Sequence, residues 1–167
     1  VRCNIVTRER SKKNKGPVGF AKLDEEGIKK EIKTWGLYKS KAKESKETAQ
    51  MIWVNDNGKV TDTIEELIKH PGVGRKTADV VLSNAFNKDA IAVDTHVFRV
   101  ANRIGIVHTK TPEKTEFALM DVIPKHRWSH SHHVLIFHGR RMCRARKPEC
   151  ELCPIKDDCD FYQGKEW

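Results

Sequence analysis

The chain has 167 residues, and 32 Lys plus Arg against 23 Asp plus Glu give a formal charge of +9. A hydrophobic content of 38% beside a charged content of 33% suits a globular chain with one core and excludes a disordered one. No apolar run approaches the roughly 20 residues of a membrane span, and residues 1–20 lack the apolar stretch of a signal peptide. An integral membrane protein is excluded and a cytoplasmic chain expected. The positive charge favours a polyanionic partner, with a plain basic surface as the equal alternative.

Residues 1–22 read as a basic arm, with Arg8, Arg10, Lys12, Lys13 and Lys15 ahead of a Gly16-Pro17 break. Asp24 can cap a helix to about Thr34, with Ile28 and Ile32 on one face and Gly36 ending it. Lys39–Val54 predicts a second helix, stopped by Asn57-Gly58. Thr63-Ile64-Glu65-Glu66 has the spacing of a capping box, opening a short helix with Ile64, Leu67 and Ile68 inward. Pro71-Gly72-Val73-Gly74 breaks the pattern. A helix to about Phe86 follows, with Ala78, Val81, Leu82 and Ala85 at helical spacing.

Ala90–Val93 is a short apolar run. Asp94-Thr95 then caps a helix reaching Arg103, Thr111-Pro112 opens another, and the last long helix spans about Ser129–Met142. No strand alternation persists, so the fold class is all-α, in three parts: the basic segment 1–22, a helical subdomain 23–90, and a helical subdomain 91–167 ending in the cysteine loop.

Three features carry chemistry. The segment from His70 to Ala78 is a glycine turn that opens a helix. The free N–H groups there, with the positive end of the dipole behind them, can hold a phosphate, and a tight helix corner is the equal alternative. Lys76 sits in the first turn of that helix, where the dipole, aided by some burial, would favour a free amine able to form Schiff bases. A solvent-exposed lysine on a phosphate is the commoner case for such a position. Asp94 reads first as a helix cap, a role compatible with a carboxylate that stabilises positive charge or moves protons.

Four of the five cysteines form the third feature, Cys143-x6-Cys150-x2-Cys153-x5-Cys159. Four thiolates suit tetrahedral zinc or a [4Fe–4S] cluster, and a single C-x2-C pair tilts the balance toward iron–sulfur. Arg144, Arg146 and Lys147, between the first two thiols, can face phosphates or be ordinary solvated charge. Cys3 lies outside the pattern. Trp53 and Trp128 are expected in the core, and His132 and His133 carry no signal of their own.

His70–Ala78, Ala92–Val100, His132-His133 with His138-Gly139-Arg140, and the four cysteines, in this order, resemble the endonuclease III family. These are the helix-hairpin-helix DNA glycosylase/AP lyases of base excision repair, and the resemblance runs from about Leu23 to Tyr162. It implies the helix-hairpin-helix glycosylase fold, with a partial helical barrel and an iron–sulfur loop. It also implies action on duplex DNA bearing oxidised pyrimidines or abasic sites, by a chain expected to be monomeric. By resemblance Lys76 attacks the sugar and forms an imine, Asp94 stabilises the cationic sugar, and β-elimination cuts the strand. Leu37 becomes a wedge pushed into the base stack, though a buried turn residue reads equally well from sequence. Gly72, Val73, Gly74 and Arg75 join the DNA contacts, and the cysteines hold a [4Fe–4S] cluster. A DNA-binding module with the hairpin and cluster but no working pocket is the alternative, and a zinc-bound scaffold a more distant one.

Family members usually begin a few dozen residues earlier, with an apolar helix and a polar motif whose glutamine fills the gap left by the flipped base. Residues 1–22 resemble the family weakly, and the chain starts at Val1. The expectation is retained chemistry with lower stability, a greater tendency to aggregate and weaker nucleotide flipping.

Overall fold

In a computed structural model the described residues are 12 and 16–165, and every regular element among them is helical. Most of the basic arm, with Cys3, lies outside them. None of their helices is long and apolar enough to cross a membrane. The chain divides into two compact units, the first ending at Gly74 and the second beginning at Arg75. The sequence reading divides it at residue 90 instead.

The first unit contains α1 (Gly16–Ala21), α2 (Glu25–Glu31), α3 (Tyr38–Asn55) and α4 (Ile64–Leu67). Gly16-Pro17 opens α1, where the sequence suggested a break. Proline is tolerated in a first helical turn because its missing N–H would have no partner there. Packing against α3, which the sequence does not reveal, holds α1 in place. Ile28, Ile32 and Ala42 form the buried centre, surrounded by Leu23, Trp35 and Tyr38. The predicted capping box does not form: Thr63 has extended backbone geometry, but its side chain caps nothing. The helix is one turn long, so Leu67 is buried while Ile68, at its end, is exposed. Trp53 is also half-exposed and not in the core, lying against the turn at Gly58.

The second unit contains α5 (Arg75–Ala85), α6 (Thr95–Ile104), α7 (Pro112–Val122) and α8 (Trp128–Arg141), followed by the cysteine loop with short turns at Cys150–Leu152 and Lys156–Asp158. Ile91, Val97, Val100, Ala101 and Leu119 are fully buried, and Trp128 packs at the edge of the same core. α6 is central, packed on both α7 and α8. Asn102, buried on α6, donates to the Phe98 carbonyl oxygen at 2.8 Å and accepts from the Thr109 N–H at 2.7 Å, which fixes the loop leading to α7. Ala85, predicted inward, is exposed at the residue where α5 ends. Asp79 occupies a buried position on α5 that the apolar pattern does not show.

Gly139 lets α6 and α8 approach closely. A Cβ there would lie 3.0 Å from both His96 Cβ and Val100 Cγ2. Gly139→Leu is therefore expected to cost about 2 kcal/mol and to lower Tm by several degrees in a thermal melt. An unchanged Tm would show that the helices can part without penalty.

Candidate active site and cysteine cluster

Asp94 ends the buried Ala90–Val93 run and starts α6. Its Oδ1 accepts from the His96 N–H at 2.8 Å and the Val97 N–H at 2.9 Å, and its Oδ2 lies 3.2 Å from His96 Nδ1. Burial alone would raise its pKa. The backbone donors at Val97 and His96, and then the His96 ring, outweigh burial and hold the carboxyl below its usual range. The helix cap thus keeps Asp94 anionic at neutral pH.

Lys76 is the second residue of α5 and is exposed, so the burial invoked for it from sequence is absent. It does not stand in open solvent: with Val93, Thr111 and Pro112 it lines a cavity of about 430 Å³. That volume falls within the range of small-molecule sites. His132 is influenced electrostatically by both Lys76 and Asp94. It is buried, and its Nδ1 donates to the Ala92 carbonyl oxygen at 2.6 Å. Burial lowers its pKa, the largest influence on it, and favours the neutral ring. His132 carries no signal in the sequence, because nothing in spacing links it to residue 76 or 94.

Arg75 precedes Lys76 and is held from α7. Its Nε donates to both carboxylate oxygens of Glu116, at 2.8 and 3.0 Å, and its guanidinium lies 5.0 Å from the centre of the Phe117 ring. Asp79, one turn further along α5, is fully buried and neither oxygen has a protein hydrogen-bond partner. Burial, reinforced by Glu116, pushes its pKa up to about 7 despite the nearby Arg75.

The four cysteines line one cavity and none is disulfide-bonded. The pKa of Cys150 is raised by burial and then by the three other sulfurs, so the set crowds negative charge that a cationic centre would relieve. Among the described residues no three His, Cys, Asp or Glu side chains converge on a single ion. Four thiols lining one cavity suit a multi-iron cluster held by four thiolates. Arg99 braces the loop, donating to the Gly139 and Cys143 carbonyl oxygens at 3.0 Å each.

The remaining predicted residues lie at the surface or in turns. Leu37 is 79% exposed with a φ of 57°. That removes the buried-turn reading and leaves an apolar side chain raised on strained backbone. In the glycine turn, the Val73 N–H donates to the His70 carbonyl oxygen at 3.1 Å, Thr48 Oγ1 donates to the Pro71 carbonyl oxygen at 2.7 Å, and Gly72 has a φ of 72°. Arg144, Arg146 and Lys147 are exposed, and Arg144 pairs with Glu149 at 3.1 Å.

Comparison with known proteins adds an independent line. Residues 5–125 match the HhH-GPD superfamily base excision DNA repair protein, and residues 143–159 match the iron-sulfur binding domain of endonuclease III. The chain is 46% identical to endonuclease III of Rickettsia conorii over 97% of its own length and 77% of the relative's. For the Escherichia coli K12 enzyme the identity is also 46%, over 88% and 70%. A trapped endonuclease III–DNA covalent intermediate superposes with a TM-score of 0.92 at 40% identity, covering 98% of this chain and 77% of that one. A thermostable thymine-DNA glycosylase gives 0.84 at 27% identity, covering 95% and 75%.

Asp79 makes stability depend on pH. An unfolded Asp ionises near 3.8, whereas the folded one holds its proton to about pH 7. Folding takes up a proton between these values, so this group's favourable contribution is intact below about pH 4 and is lost as pH rises toward 7. Asp79→Asn is expected to raise Tm by several degrees at about pH 8 and to change it little at about pH 4.5. An equal gain at both pH values, measured by thermal melts, would separate the effect from ionisation.

Proposed function

Because the chain belongs to the HhH-GPD superfamily of base excision DNA repair proteins, in its endonuclease III family, we propose that it removes oxidised pyrimidines from duplex DNA and cuts the resulting abasic site. The observation that carries this reading is the placement of Lys76 on a cavity wall, with the anionic Asp94 and the lysine both within reach of His132.

Such an enzyme must extrude the target nucleotide from the stack. Leu37 suits the wedge that fills the vacated space: it is apolar, exposed and already held in a left-handed conformation. The hairpin residues Gly72, Val73 and Gly74 lead into α5, whose first N–H groups would meet a backbone phosphate without reading sequence. Arg75 uses Nε on Glu116, which leaves the terminal nitrogens of its guanidinium to face the same phosphate. Arg144, Arg146 and Lys147 extend the basic surface, and their contacts would weaken with salt.

In the chemical step the Lys76 amine attacks C1′ of the extruded sugar and the damaged base departs with the bond electrons. Positive charge builds on the sugar as that bond breaks, and Asp94 is held ionised where it can stabilise it. Loss of a proton from nitrogen and opening of the ring give an imine between Lys76 and C1′. Removal of a C2′ proton then expels the 3′ phosphate and cuts the strand. Neutral His132 commits its Nδ1–H to Ala92, so Nε2 is the ring atom that accepts a proton.

Cys143, Cys150, Cys153 and Cys159 would hold a [4Fe–4S] cluster, and their ligation would clamp the loop that carries the basic residues. Hydrolytic and lyase steps at a sugar need no electron transfer, so the loop's part here is to dock DNA. The protein is proposed to act as a monomer.

Borohydride trapping on duplex DNA with a thymine glycol or an abasic site tests the reading. The parent chain is expected to form a covalent complex and Lys76→Ala to form none while still binding duplex; trapping that persists in Lys76→Ala removes Lys76 from the role. Parent chain that binds duplex in a salt-dependent way without trapping would make it a binding module. Asp94→Asn separates capping from chemistry. Asparagine caps helices about as well as aspartate, so Tm should change little while turnover falls by about 100-fold or more. A parallel loss of Tm and turnover would assign Asp94 to folding alone.

A further inference from the structure

At the C-terminal end of α6, Arg103 touches both ends of the cysteine loop. Its side chain faces the first end: Nη1 donates to the Arg144 carbonyl oxygen at 2.8 Å and to Cys143 Sγ at 3.6 Å, and Nη2 donates to the Ala145 carbonyl oxygen at 3.2 Å. Its main chain faces the last end: the Arg103 carbonyl oxygen accepts from the Phe161 N–H at 2.9 Å and from the Cys159 thiol at 3.3 Å. The guanidinium also lies over the Phe161 ring, 4.5 Å from its centre. The next residue, Ile104, accepts the Asp160 N–H at 3.2 Å. The seventeen residues from Cys143 to Cys159 therefore begin and end on one arginine.

We propose that Arg103 closes the cluster loop and, through its hydrogen bond to the Cys143 sulfur, raises the reduction potential of the cluster held there. An N–H donor and a positive charge next to a ligand sulfur stabilise the more negative, reduced state. Closing the loop slows release of iron, because its two ends cannot separate while the Arg103 side chain holds the Arg144 and Ala145 carbonyl oxygens and its own carbonyl oxygen holds the Phe161 N–H. Lys156 lines the same cavity but directs its ammonium at Glu151, 3.8 Å away, and at the Tyr162 ring, so it supplies charge without a sulfur bond. This rests on the iron–sulfur assignment and not on the lysine chemistry.

The test uses the cluster-loaded chain and three variants: Arg103→Met, Arg103→Lys and Lys156→Met. Iron per protein, the rate of iron loss to a chelator and the midpoint potential by voltammetry are read without reference to strand cutting. Arg103→Met is expected to lose iron several-fold faster and to shift the potential to a more negative value than Lys156→Met does. A potential shift no larger than that of Lys156→Met would reduce Arg103 to one more nearby charge, and faster iron loss at an unchanged potential would make it a scaffold only; either overturns the proposal. If Arg103→Met takes up no cluster, Arg103→Lys decides. Lysine keeps the charge but cannot span the sulfur and both carbonyls, so faster iron loss with a negative shift supports the proposal, and parental values for both overturn it.

Discussion

The carboxylate of Asp94, held by two backbone N–H groups at the start of α6, is the contact around which the second unit is organised. It satisfies orphan donors that every helix start leaves exposed, and in return it remains charged inside a largely apolar surrounding. From that fixed point α6 runs through the core, with Val97, Val100 and Ala101 fully buried. It ends at the arginine that grips the cysteine loop. One ten-residue helix, Thr95–Ile104, therefore carries the candidate charge stabiliser at one end and the anchor of the cluster at the other. Packing makes that helix rigid, because Gly139 and Arg99 bring α8 against it at close range.

The nucleophile side is arranged differently. Lys76 is exposed, and its backbone is fixed through its neighbour, which α7 holds by a two-oxygen contact from Glu116. An amine left free to move into an extruded sugar, on backbone that cannot move, suits a covalent step that has to release its product. Asp79 beside this arrangement is costly, since it is buried without a hydrogen-bond partner. Below about pH 7 it keeps its proton, which spares the unit an unpaired negative charge beside Glu116.

The cysteine loop shows how a short sequence with little core of its own can be held from outside. It has only single turns, and its polar groups are gathered by Arg99 and Arg103 of α6. The first thiol is fixed where α8 ends, with the Cys143 N–H on the His138 carbonyl oxygen at 2.9 Å. Four thiols line one cavity, where burial and the three other sulfurs raise the pKa of Cys150, so a metal centre and the loop's fold support each other.

Local signals in the sequence determined a good deal. The Asp94 and Thr111 caps, the Ile28 and Ile32 face, the buried Ala90–Val93 run and the spacing of the cysteines all depend on residues within a few positions of each other. Where such a signal competed with distant packing, the sequence misled: α1 exists because α3 covers it, the Thr63 box fails because its helix is a single turn, and Trp53 stays half-exposed. Tertiary structure alone brought His132 to Lys76 and Asp94, paired Arg75 with Glu116 across 41 positions, buried Asp79, and laid Arg103 along both ends of the loop. Periodicity and spacing describe one element at a time, whereas burial, pairing and pKa depend on which elements meet, and that is settled only when the chain packs.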